Sequence, residues 1–492
     1  MLFNSLHFVF FFPIVVALYF ATPHRWRWAL LLAASYYFYG SWRLAYLVLL
    51  IACTVLDWAV ALRMAKAQTP RRRRAWLIVS LTANLGMLGY FKYAGFITES
   101  LQAILLPLGA SVPEHAALHP LLPVGISFYT FQTLAYSLDV YWRNIPAERH
   151  LGRFALYVSF FPQLVAGPIE RADRLLPQFT RVHHLDAARV VSGLTRMAWG
   201  FFQKLVIADR LAPWVNEAFT TQQPQTAATV LIAAYFFYFQ IYTDFAGYTD
   251  IAIGSARIMG YDLMENFNRA YLSTSMSDLW RRWHISLMTW FRDYLMRPLS
   301  AGGSGPLRRM RNVMIVFVVS GLWHGAAWTF VAWGVVNALA LIIGYSTRDA
   351  RDRLWAACAS WLSTWAPAAA SFLLALRPWL ARLFIANFLA LGLIFFRAPT
   401  FQRAMEMYGT LFGQAHTLFS IPALAIPPWE LGLALAAIAT FLVVDGLGTR
   451  LRWPQRLAAQ PRWVRWSVAY TVIIAVLMFG EFQITEFYYF RF

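Results

Sequence analysis

The stretch Val313–Tyr345 reads VMIVFVVSGLWHGAAWTFVAWGVVNALALIIGY, and it decides the fold class. It is longer than the roughly 20 apolar residues that a membrane helix needs, so it can span a bilayer with a bend or a break. At about 1.5 Å per residue, His324 lies about 16 Å along a helix that begins at Val313. That is near the middle of a hydrocarbon layer about 30 Å thick, where an ionisable group is costly and marks a candidate functional site. A histidine hydrogen-bonded within a helix bundle is the structural alternative.

The composition extends this prediction to the whole chain. Its 492 residues are 59% hydrophobic and 13% charged, whereas soluble domains are about 25% charged. The net charge of +19 comes from arginines in short loops between apolar runs, which is typical of cytoplasmic loops and argues against nucleic-acid binding. The only two cysteines, Cys53 and Cys358, form no disulfide framework and no metal motif. We therefore predict an all-α polytopic membrane protein.

The arginine-rich loops orient the chain. Arg63–Arg74 is the strongest candidate for a cytoplasmic loop, and three apolar runs precede it, which puts the N-terminus outside. Leu2–Ala21 lacks a basic region before it and is expected to be a retained helix rather than a cleaved signal peptide. Arg450–Arg465 precedes the last apolar run and is expected to be cytoplasmic, so the C-terminus also emerges outside. In total we predict roughly 11 spans.

Some segments do not fit regular spans. Leu156–Ile169 contains Pro162, Gly167 and Pro168, so it is expected to be broken and re-entrant, buried in protein or lining a cavity. Leu101–Leu122 is rich in proline and is expected to be a loop. His183 and His184 are adjacent and cannot share one face of a helix, so no metal site is expected there.

We expect one integral-membrane domain over residues 1–492. Residues 1–150 form the N-terminal spans, residues 151–346 carry the motifs and form the catalytic core, and residues 347–492 form the C-terminal spans and an aromatic tail.

A second histidine lies in an amphipathic segment that precedes the opening stretch. Residues 273–295 show a helical period, and Ser275 with Asp278 matches a capping box. On a continuous helix His284 falls within the apolar arc, whereas Arg282 falls opposite. An interfacial helix with aromatic anchors accounts for most of this segment, but it leaves a histidine on the buried face unexplained.

His284 and His324 are therefore the two candidate catalytic residues, and each directly follows a tryptophan, Trp283 or Trp323. Burial disfavours the charged form of an imidazole, and a neutral imidazole can act as a general base. The chain lacks the G-x-S-x-G, Walker, HExxH and GxGxxG patterns, so hydrolase, NTPase, zinc-protease and dinucleotide-binding functions have no support.

Several long motifs in order make the chain resemble the membrane-bound O-acyltransferase (MBOAT) family. It is most similar to the bacterial branch of alginate O-acetyltransferases and D-alanyl transferases. The motifs are FFPQLVAGPIERADRLLPQF (Phe160–Phe179), DFAGYTDIAIGSARIMGY (Asp244–Tyr261), ENFNRAYLSTSMSDLWRRWHISLMTWFRDYL (Glu265–Leu295) and SGLWHGAAWTFVAWG (Ser320–Gly334), with weaker matches at LGYFKYAGF (Leu88–Phe96) and IFFRAP (Ile394–Pro399).

This resemblance implies a ring of transmembrane, re-entrant and amphipathic helices around a central funnel. It also implies an acyl group taken from a cytoplasmic thioester, acetyl-CoA or a carrier-protein thioester, and delivered outward. The characteristic histidine of the family matches His324, and its second histidine matches His284. We expect His324 to act as the base or to contact the reactants, and His284 to position the acyl group or stabilise the oxyanion.

Other residues are expected to support this site. Tyr242, Asp244 and Asp250 are candidates for orienting it, together with the two tryptophans. Arg281 and Arg282 are candidates for binding the phosphates of CoA, with lipid headgroups as an equal alternative. The tail FYYFRF (residues 487–492) has two interpretations, an interfacial aromatic anchor or a segment that docks into the outer funnel.

The leading function is O-acetylation of an extracytoplasmic exopolysaccharide such as alginate, or of cell-wall peptidoglycan. The expected location is the bacterial inner membrane, with periplasmic termini. Expected partners are membrane lipids, the thioester donor and a periplasmic SGNH-like acetyltransferase or the acceptor polymer itself, with no metal. Acyl transfer to a teichoic acid or a lipid-linked acceptor is an alternative. A proton-coupled transporter or flippase would also use intramembrane histidines and aspartates, and a non-catalytic scaffold of a polysaccharide complex is a third class.

Overall fold

The fold is seen in a computed structural model of the chain. It describes residues 1–108, 121–303, 305–420, 426–448, 460–482 and 487–491. Within these ranges the regular elements are helices, and none is a strand. The all-α prediction is confirmed for this part of the chain.

The α-helices run in the following order: α1 Leu6–Ala21, α2 His24–Gly40, α3 Leu44–Lys66, α4 Pro70–Leu88, α5 Ala94–Leu105, α6 Ile126–Trp142, α7 Leu151–Ser159, α8 Ala172–Leu175, α9 Ala187–Phe201, α10 Asp209–Thr220, α11 Ala227–Ile258, α12 Met276–Arg282, α13 Ile285–Phe291, α14 Arg297–Ser300, α15 Pro306–His324, α16 Trp328–Ser346, α17 Arg348–Trp365, α18 Pro367–Arg397, α19 Phe401–Gly413, α20 Pro428–Gly448 and α21 Arg462–Phe479. The π-helical turns are Gly89–Tyr93, Phe202–Ala208 and Arg292–Met296.

Among the described residues, six helices are long and apolar enough to cross a membrane by length and composition: α3, α11, α16, α18, α20 and α21. This supports a multi-pass membrane protein. The prediction of roughly 11 spans around a central funnel stays a prediction.

The helices group into two units, and each unit draws on separate stretches of the chain. Unit one comprises Met1–Leu205, Phe245–Glu265 and Phe482–Phe492, and unit two comprises Val206–Asp244 and Asn266–Glu481. The segment boundaries predicted from the sequence stay a prediction.

Glycines let two helices of unit one approach each other at backbone distance. A Cβ on Gly193 of α9 would lie 2.7 Å from the carbonyl oxygen of Gly254 in α11, and a Cβ on Gly200 would lie 2.6 Å from that of Gly247. The two glycines of each helix are seven residues apart, so they lie on one face. Small residues at such a spacing permit the close helix packing that is common in membranes.

A buried polar cluster joins three further helices of unit one. Asp57 of α3 accepts hydrogen bonds from Ser80 (2.7 Å) and Asn84 (2.9 Å) of α4, and Asn84 in turn accepts one from Thr133 of α6. These four side chains are almost fully buried. Polar groups satisfied in this way can stabilise helix association where the hydrophobic effect contributes little.

The aromatic tail also packs within unit one. The rings of Phe487 and Tyr489 lie 5.5 and 4.5 Å from the ring of Phe245, and Phe487 lies 4.9 Å from Tyr248. Phe487, Tyr488 and Tyr489 are buried. This burial is more than a surface anchor requires, while docking of the tail into a funnel stays a prediction.

Two of the irregular segments differ in outcome. The break at the prolines is confirmed, because α7 ends at Ser159 and residues 160–171 form turns and irregular backbone. The predicted loop at Leu101–Leu122 is wrong at its start, because α5 extends to Leu105 and a 3₁₀ turn covers Leu106–Leu108. Residues 109–120 of that loop lie outside the described residues, as do residues 450–459 of the predicted Arg450–Arg465 loop.

The opening stretch folds into a tight helical hairpin, α15 and α16, in unit two. Gly325 follows α15 with an extended backbone, so the break that the length of this run permits occurs at Gly325. A Cβ on Gly321 would lie 2.2 Å from the carbonyl oxygen of Phe330, and one on Gly334 would lie 2.4 Å from that of Phe317. The two backbones therefore touch, which fixes the end of α15 where His324 lies.

Candidate functional site

His324 is the last residue of α15, and its side chain is only 5% exposed. The hairpin positions it, because Gly325 and the α15–α16 backbone contact set where the helix ends. The sequence prediction that this histidine is buried is confirmed.

His284 is also buried, at 1% exposure, but it does not lie on a continuous helix. The predicted single amphipathic helix is wrong: α12 ends at Arg282 and α13 begins at Ile285. Between them His284 adopts a left-handed backbone, with φ 46° and ψ 53°. Ser275 is confirmed as the N-cap, since its hydroxyl accepts a hydrogen bond from the N–H of Asp278. The reciprocal half of the predicted capping box differs, because the carboxylate of Asp278 accepts from the N–H of Thr274.

The segment Asn266–Asn268 holds this break in place. The carbonyl oxygen of Asn266 accepts a hydrogen bond from the N–H of Ile285, and the N–H of Asn268 donates to the carbonyl oxygen of Arg282, each at 2.9 Å. Left-handed backbone is uncommon for residues other than glycine, although histidine is among those enriched there. Such strain persists where surrounding contacts over-determine it, and it is concentrated at functional sites.

The two imidazoles lie beside each other inside unit two. Their ring centroids are 6.2 Å apart, and the ring of Trp323 lies 5.7 Å from His284 and 4.9 Å from His324. Trp333 and Phe396 each lie 5.2 Å from the ring of His324. The structure thus brings both predicted histidines into one aromatic enclosure.

Burial controls the charge of His284. Desolvation lowers the pKa of its imidazole from 6.5 to about 3, because the charged form loses its hydration. His284 is therefore neutral at pH 7, and the N–H of a neutral imidazole can donate a hydrogen bond to a developing oxyanion.

Trp283 and Tyr242 form a second aromatic layer. Their rings are 5.3 Å apart, and Tyr242 also lies 5.9 Å from Tyr271. The hydroxyl of Tyr271 donates to the carboxylate of Asp445 at 2.7 Å. The two predicted supporting residues are thus in contact with each other, next to the break at His284.

The two predicted aspartates belong to different environments. Asp244 is buried in unit two. Asp250 belongs to unit one, where Nε of Arg196 donates to it at 2.8 Å and Gln203 donates to its other oxygen at 2.8 Å. Arg196 also forms a bidentate pair with Glu265. Asp250 is therefore engaged in an ion-pair cluster, and an orienting role for it stays a prediction.

The two predicted phosphate ligands differ in exposure. Arg281 is 74% exposed in its side chain and lies 3.8 Å from Asp278, whereas Arg282 is 33% exposed and pairs with the same carboxylate at 2.9 Å. Within the described residues no group of three or more His, Cys, Asp or Glu side chains is arranged to hold a metal ion.

Sequence reasoning missed three contributors to the site. Phe396 lies in the short IFFRAP match, and Trp333 lies in the motif around His324. Family motifs therefore contained both residues, but the sequence assigned neither of them a role. Asn266 lies in the motif that contains His284, and its role depends on a backbone break that periodicity did not predict. Asn266 is 0% exposed, and its side-chain amide nitrogen has no hydrogen-bond partner among the described residues.

Comparison with known proteins gives a consistent result. The protein-family model described as MBOAT, membrane-bound O-acyltransferase family, matches residues 145–387 of this chain, which include both histidines. A probable alginate O-acetylase, AlgI, of Azotobacter vinelandii is 37% identical over 94% of this chain and 88% of its own length.

Two further relatives act on different polymers by their names. A peptidoglycan O-acetyltransferase of Helicobacter pylori is 32% identical over 84% of this chain and 80% of its own length. A teichoic acid D-alanyltransferase of Bacillus subtilis is 27% identical over 51% of this chain and 67% of its own length.

Proposed function

The chain belongs to the membrane-bound O-acyltransferase family, and from that premise we propose that it transfers an acetyl group from cytoplasmic acetyl-CoA towards an extracytoplasmic polysaccharide or peptidoglycan. As a member of this family it is an acyltransferase. The relatives named as alginate O-acetylases cover most of the chain, which favours acetyl over D-alanyl and a polysaccharide as the acceptor.

The observation that carries the proposal is the pair of buried imidazoles, with centroids 6.2 Å apart. In the proposed reaction an acceptor hydroxyl attacks the thioester carbonyl, a C–O bond forms and the C–S bond breaks. The imidazole of His324 takes the hydroxyl proton and returns it to the leaving thiolate, so free CoA is released. The neutral His284 stabilises the negative charge that develops on the carbonyl oxygen.

The aromatic enclosure supports this chemistry. Trp323, Trp333 and Phe396 exclude water around His324, which strengthens every electrostatic interaction in the site and suppresses hydrolysis of the thioester.

We further propose a cellular location for the protein and a partner that receives the acetyl group. The protein lies in the bacterial inner membrane with both termini periplasmic, because its basic loops are expected to be cytoplasmic. The acetyl group passes to a periplasmic SGNH-like acetyltransferase or directly to the polymer.

The test compares His324→Ala with His416→Ala, an exposed histidine of unit two. Both variants are quantified in the membrane fraction. Release of CoA from acetyl-CoA by the purified protein, with an alginate oligosaccharide added as the acceptor, and the acetyl content of the cell's polymers are then measured. We expect His324→Ala to abolish both, and His416→Ala to leave both unchanged. Normal CoA release by His324→Ala would refute the catalytic assignment, and absence of CoA release by the unmodified protein would favour a transporter or a scaffold.

A further inference from the structure

A basic cavity of about 500 Å³ lies within unit one, whereas both candidate catalytic histidines belong to unit two. Its walls come from residues 173–189 and from the turn that follows α11. The charged or titratable lining residues are Asp173, Arg174, Arg181, His183, Arg189 and Asp262.

The inner wall is rigid and preorganised. The side-chain amide of Gln178 donates to the carbonyl oxygen of Asp262 at 3.0 Å, and its oxygen accepts from the N–H of Asp262 at 2.8 Å. These two bonds join the 3₁₀ turn Leu176–Thr180 to the turn after α11. Arg189 adds an ion pair to Asp262 at 2.7 Å, so one arginine and one carboxylate of the lining neutralise each other.

Gly260 and His183 complete this wall. Gly260 has φ 99°, and a Cβ there would lie 2.6 Å from Nδ1 of the His183 ring. Nε2 of His183 lies 3.0 Å from the carbonyl oxygen of Gln178, so that nitrogen carries the proton. Desolvation lowers the pKa of His183, which leaves the imidazole neutral, and Arg27 donates to the carbonyl oxygen of His183 at 2.5 Å.

Three lining charges then remain: two exposed arginines at the rim, Arg174 and Arg181, and the exposed carboxylate of Asp173. The cavity therefore carries a net charge of +1 (2 − 1), and its positive charge comes from the two arginines. Among the described residues no salt bridge joins either guanidinium to a carboxylate, although Glu170 and Asp173 are near Arg174 in the chain. Two guanidinium groups over a rigid wall provide planar, multiple donors, which suit phosphate oxygens better than a single ammonium does.

The side of the membrane on which the cavity lies limits which phosphate groups can reach it. Tyr19, near the end of α1, hydrogen-bonds Tyr261 at 3.1 Å, so the cavity lies beside the end of α1 and the end of α11. With the N-terminus outside, as in the proposed function, the end of α1 is cytoplasmic. The cavity then faces the cytoplasm and the inner leaflet, where anionic headgroups and nucleotide phosphates are found.

We propose that this cavity is a phosphate-binding site on the cytoplasmic side, with Arg174 and Arg181 as its ligands. The phosphate belongs either to a free molecule such as the CoA donor or to an anionic phospholipid headgroup. The side of the membrane rests on the proposed function, whereas the phosphate chemistry rests on the cavity alone.

Two variants test the cavity by different means. Arg174→Gln with Arg181→Gln removes both rim charges, and Val182→Glu adds an anion to the lining while it keeps every arginine. The matched controls are Arg71→Gln with Arg72→Gln, two exposed arginines at the start of α4, and Leu185→Glu, an exposed residue of the same loop outside the lining. All the substituted sites are exposed or at the rim, so folding is checked by thermal unfolding and is expected to be unchanged.

Binding is measured without an acceptor, in the His324→Ala background, so that turnover does not affect it. One arm measures the affinities for CoA and for 3′-dephospho-CoA in detergent. The other arm measures retention of phosphatidylglycerol, against phosphatidylcholine, by native mass spectrometry. We expect the binding of the ligand in one arm to be about fivefold to tenfold weaker for both cavity variants, because two rim ion pairs are affected. We expect the control variants to bind as the parent does.

Each outcome of these measurements identifies the ligand of the cavity or overturns the site. A loss confined to CoA, together with loss of its preference over the dephospho form, identifies a free phosphate-bearing molecule as the ligand. A loss confined to phosphatidylglycerol identifies a lipid headgroup. Unchanged binding in both arms, or equal losses in the control variants, overturns the site, and it leaves the acetyl-transfer proposal standing if the parent protein releases CoA normally.

Discussion

The side-chain oxygen of Asn266 accepts two hydrogen bonds from Ser286, from its backbone N–H at 3.2 Å and from its hydroxyl at 2.8 Å. Together with the backbone bond from Ile285, these contacts fix the start of α13 immediately after His284. An asparagine 18 positions earlier in the chain than His284 (284 − 266) thus determines how that imidazole is held.

Asn266→Ala is expected to lower the rate of acetyl transfer strongly, because it removes the acceptor of two buried donors of Ser286 at about 1–3 kcal/mol each and releases the backbone at His284. Asn266→Asp keeps an acceptor oxygen at the start of α13 and is expected to retain more activity. The measurement is CoA release with kcat and KM determined separately, with Asn387→Ala as a control on α18. Equal activity of the Ala and Asp variants would contradict a positioning role.

Gly321→Ala is expected to destabilise the α15–α16 hairpin, because its Cβ would meet the carbonyl oxygen of Phe330 at 2.2 Å. Overpacking of this kind costs about 1–3 kcal/mol. Gly344→Ala in the same hairpin meets no atom within 4 Å and is expected to be neutral or slightly stabilising. Thermal unfolding and CoA release of the two variants provide the comparison. If both variants unfold at the same temperature, the backbone contact does not constrain the hairpin.

The neutral His284 predicts a pH dependence of stability. The pKa of His284 is about 3 in the folded chain, whereas an unfolded histidine titrates near 6.5. Below pH 6.5 the unfolded state binds a proton that the folded state does not. The free energy of unfolding that depends on neutral His284 is therefore fully present above pH 6.5, and it is lost as the pH falls towards 3. At pH 5 the loss is about 2 kcal/mol.

The measurement compares thermal unfolding of the parent protein and of His284→Asn at pH 7.5 and pH 5. Asparagine carries no titrating group and tolerates left-handed backbone, so the variant should lose less stability on acidification. The same loss in both proteins would place the acid sensitivity elsewhere in the chain.

Removal of Arg196 is expected to destabilise unit one by about 3–5 kcal/mol, because it leaves the half-buried carboxylate of Asp250 without its ion-pair partner. The double variant Arg196→Met with Asp250→Asn should regain part of this loss. Arg189→Gln breaks the more exposed pair with Asp262 and should cost no more than about 1 kcal/mol. A double-mutant cycle on the free energy of unfolding provides the test, and additive losses at Arg196 and Asp250 would exclude coupling between them.

Local pattern was sufficient for much of the fold. Apolar run length and loop arginines predict a helical membrane protein, and prolines predict the break after Ser159. Gly325 limits α15, and the apolar run around His324 indicates that this residue lies at membrane depth. These features depend on neighbours within a few residues in the chain, which periodicity and composition report directly.

The geometry of the site needed the tertiary structure. A continuous period predicted one helix through His284. The helix is interrupted there, and two backbone hydrogen bonds hold the left-handed turn, one accepted by Asn266 and one donated by Asn268. Phe396 reaches the ring of His324 from a separate helix. The basic cavity likewise joins the loop around His183 to the turn at Gly260.

The sequence by itself therefore determined that this is a membrane protein of helices, and it singled out the two candidate histidines. Only the tertiary structure decided how those histidines are held and which distant residues surround them. The reason is that hydrogen bonds and ring contacts between segments far apart in the chain override local helical preference, and they leave no periodic signal in either segment.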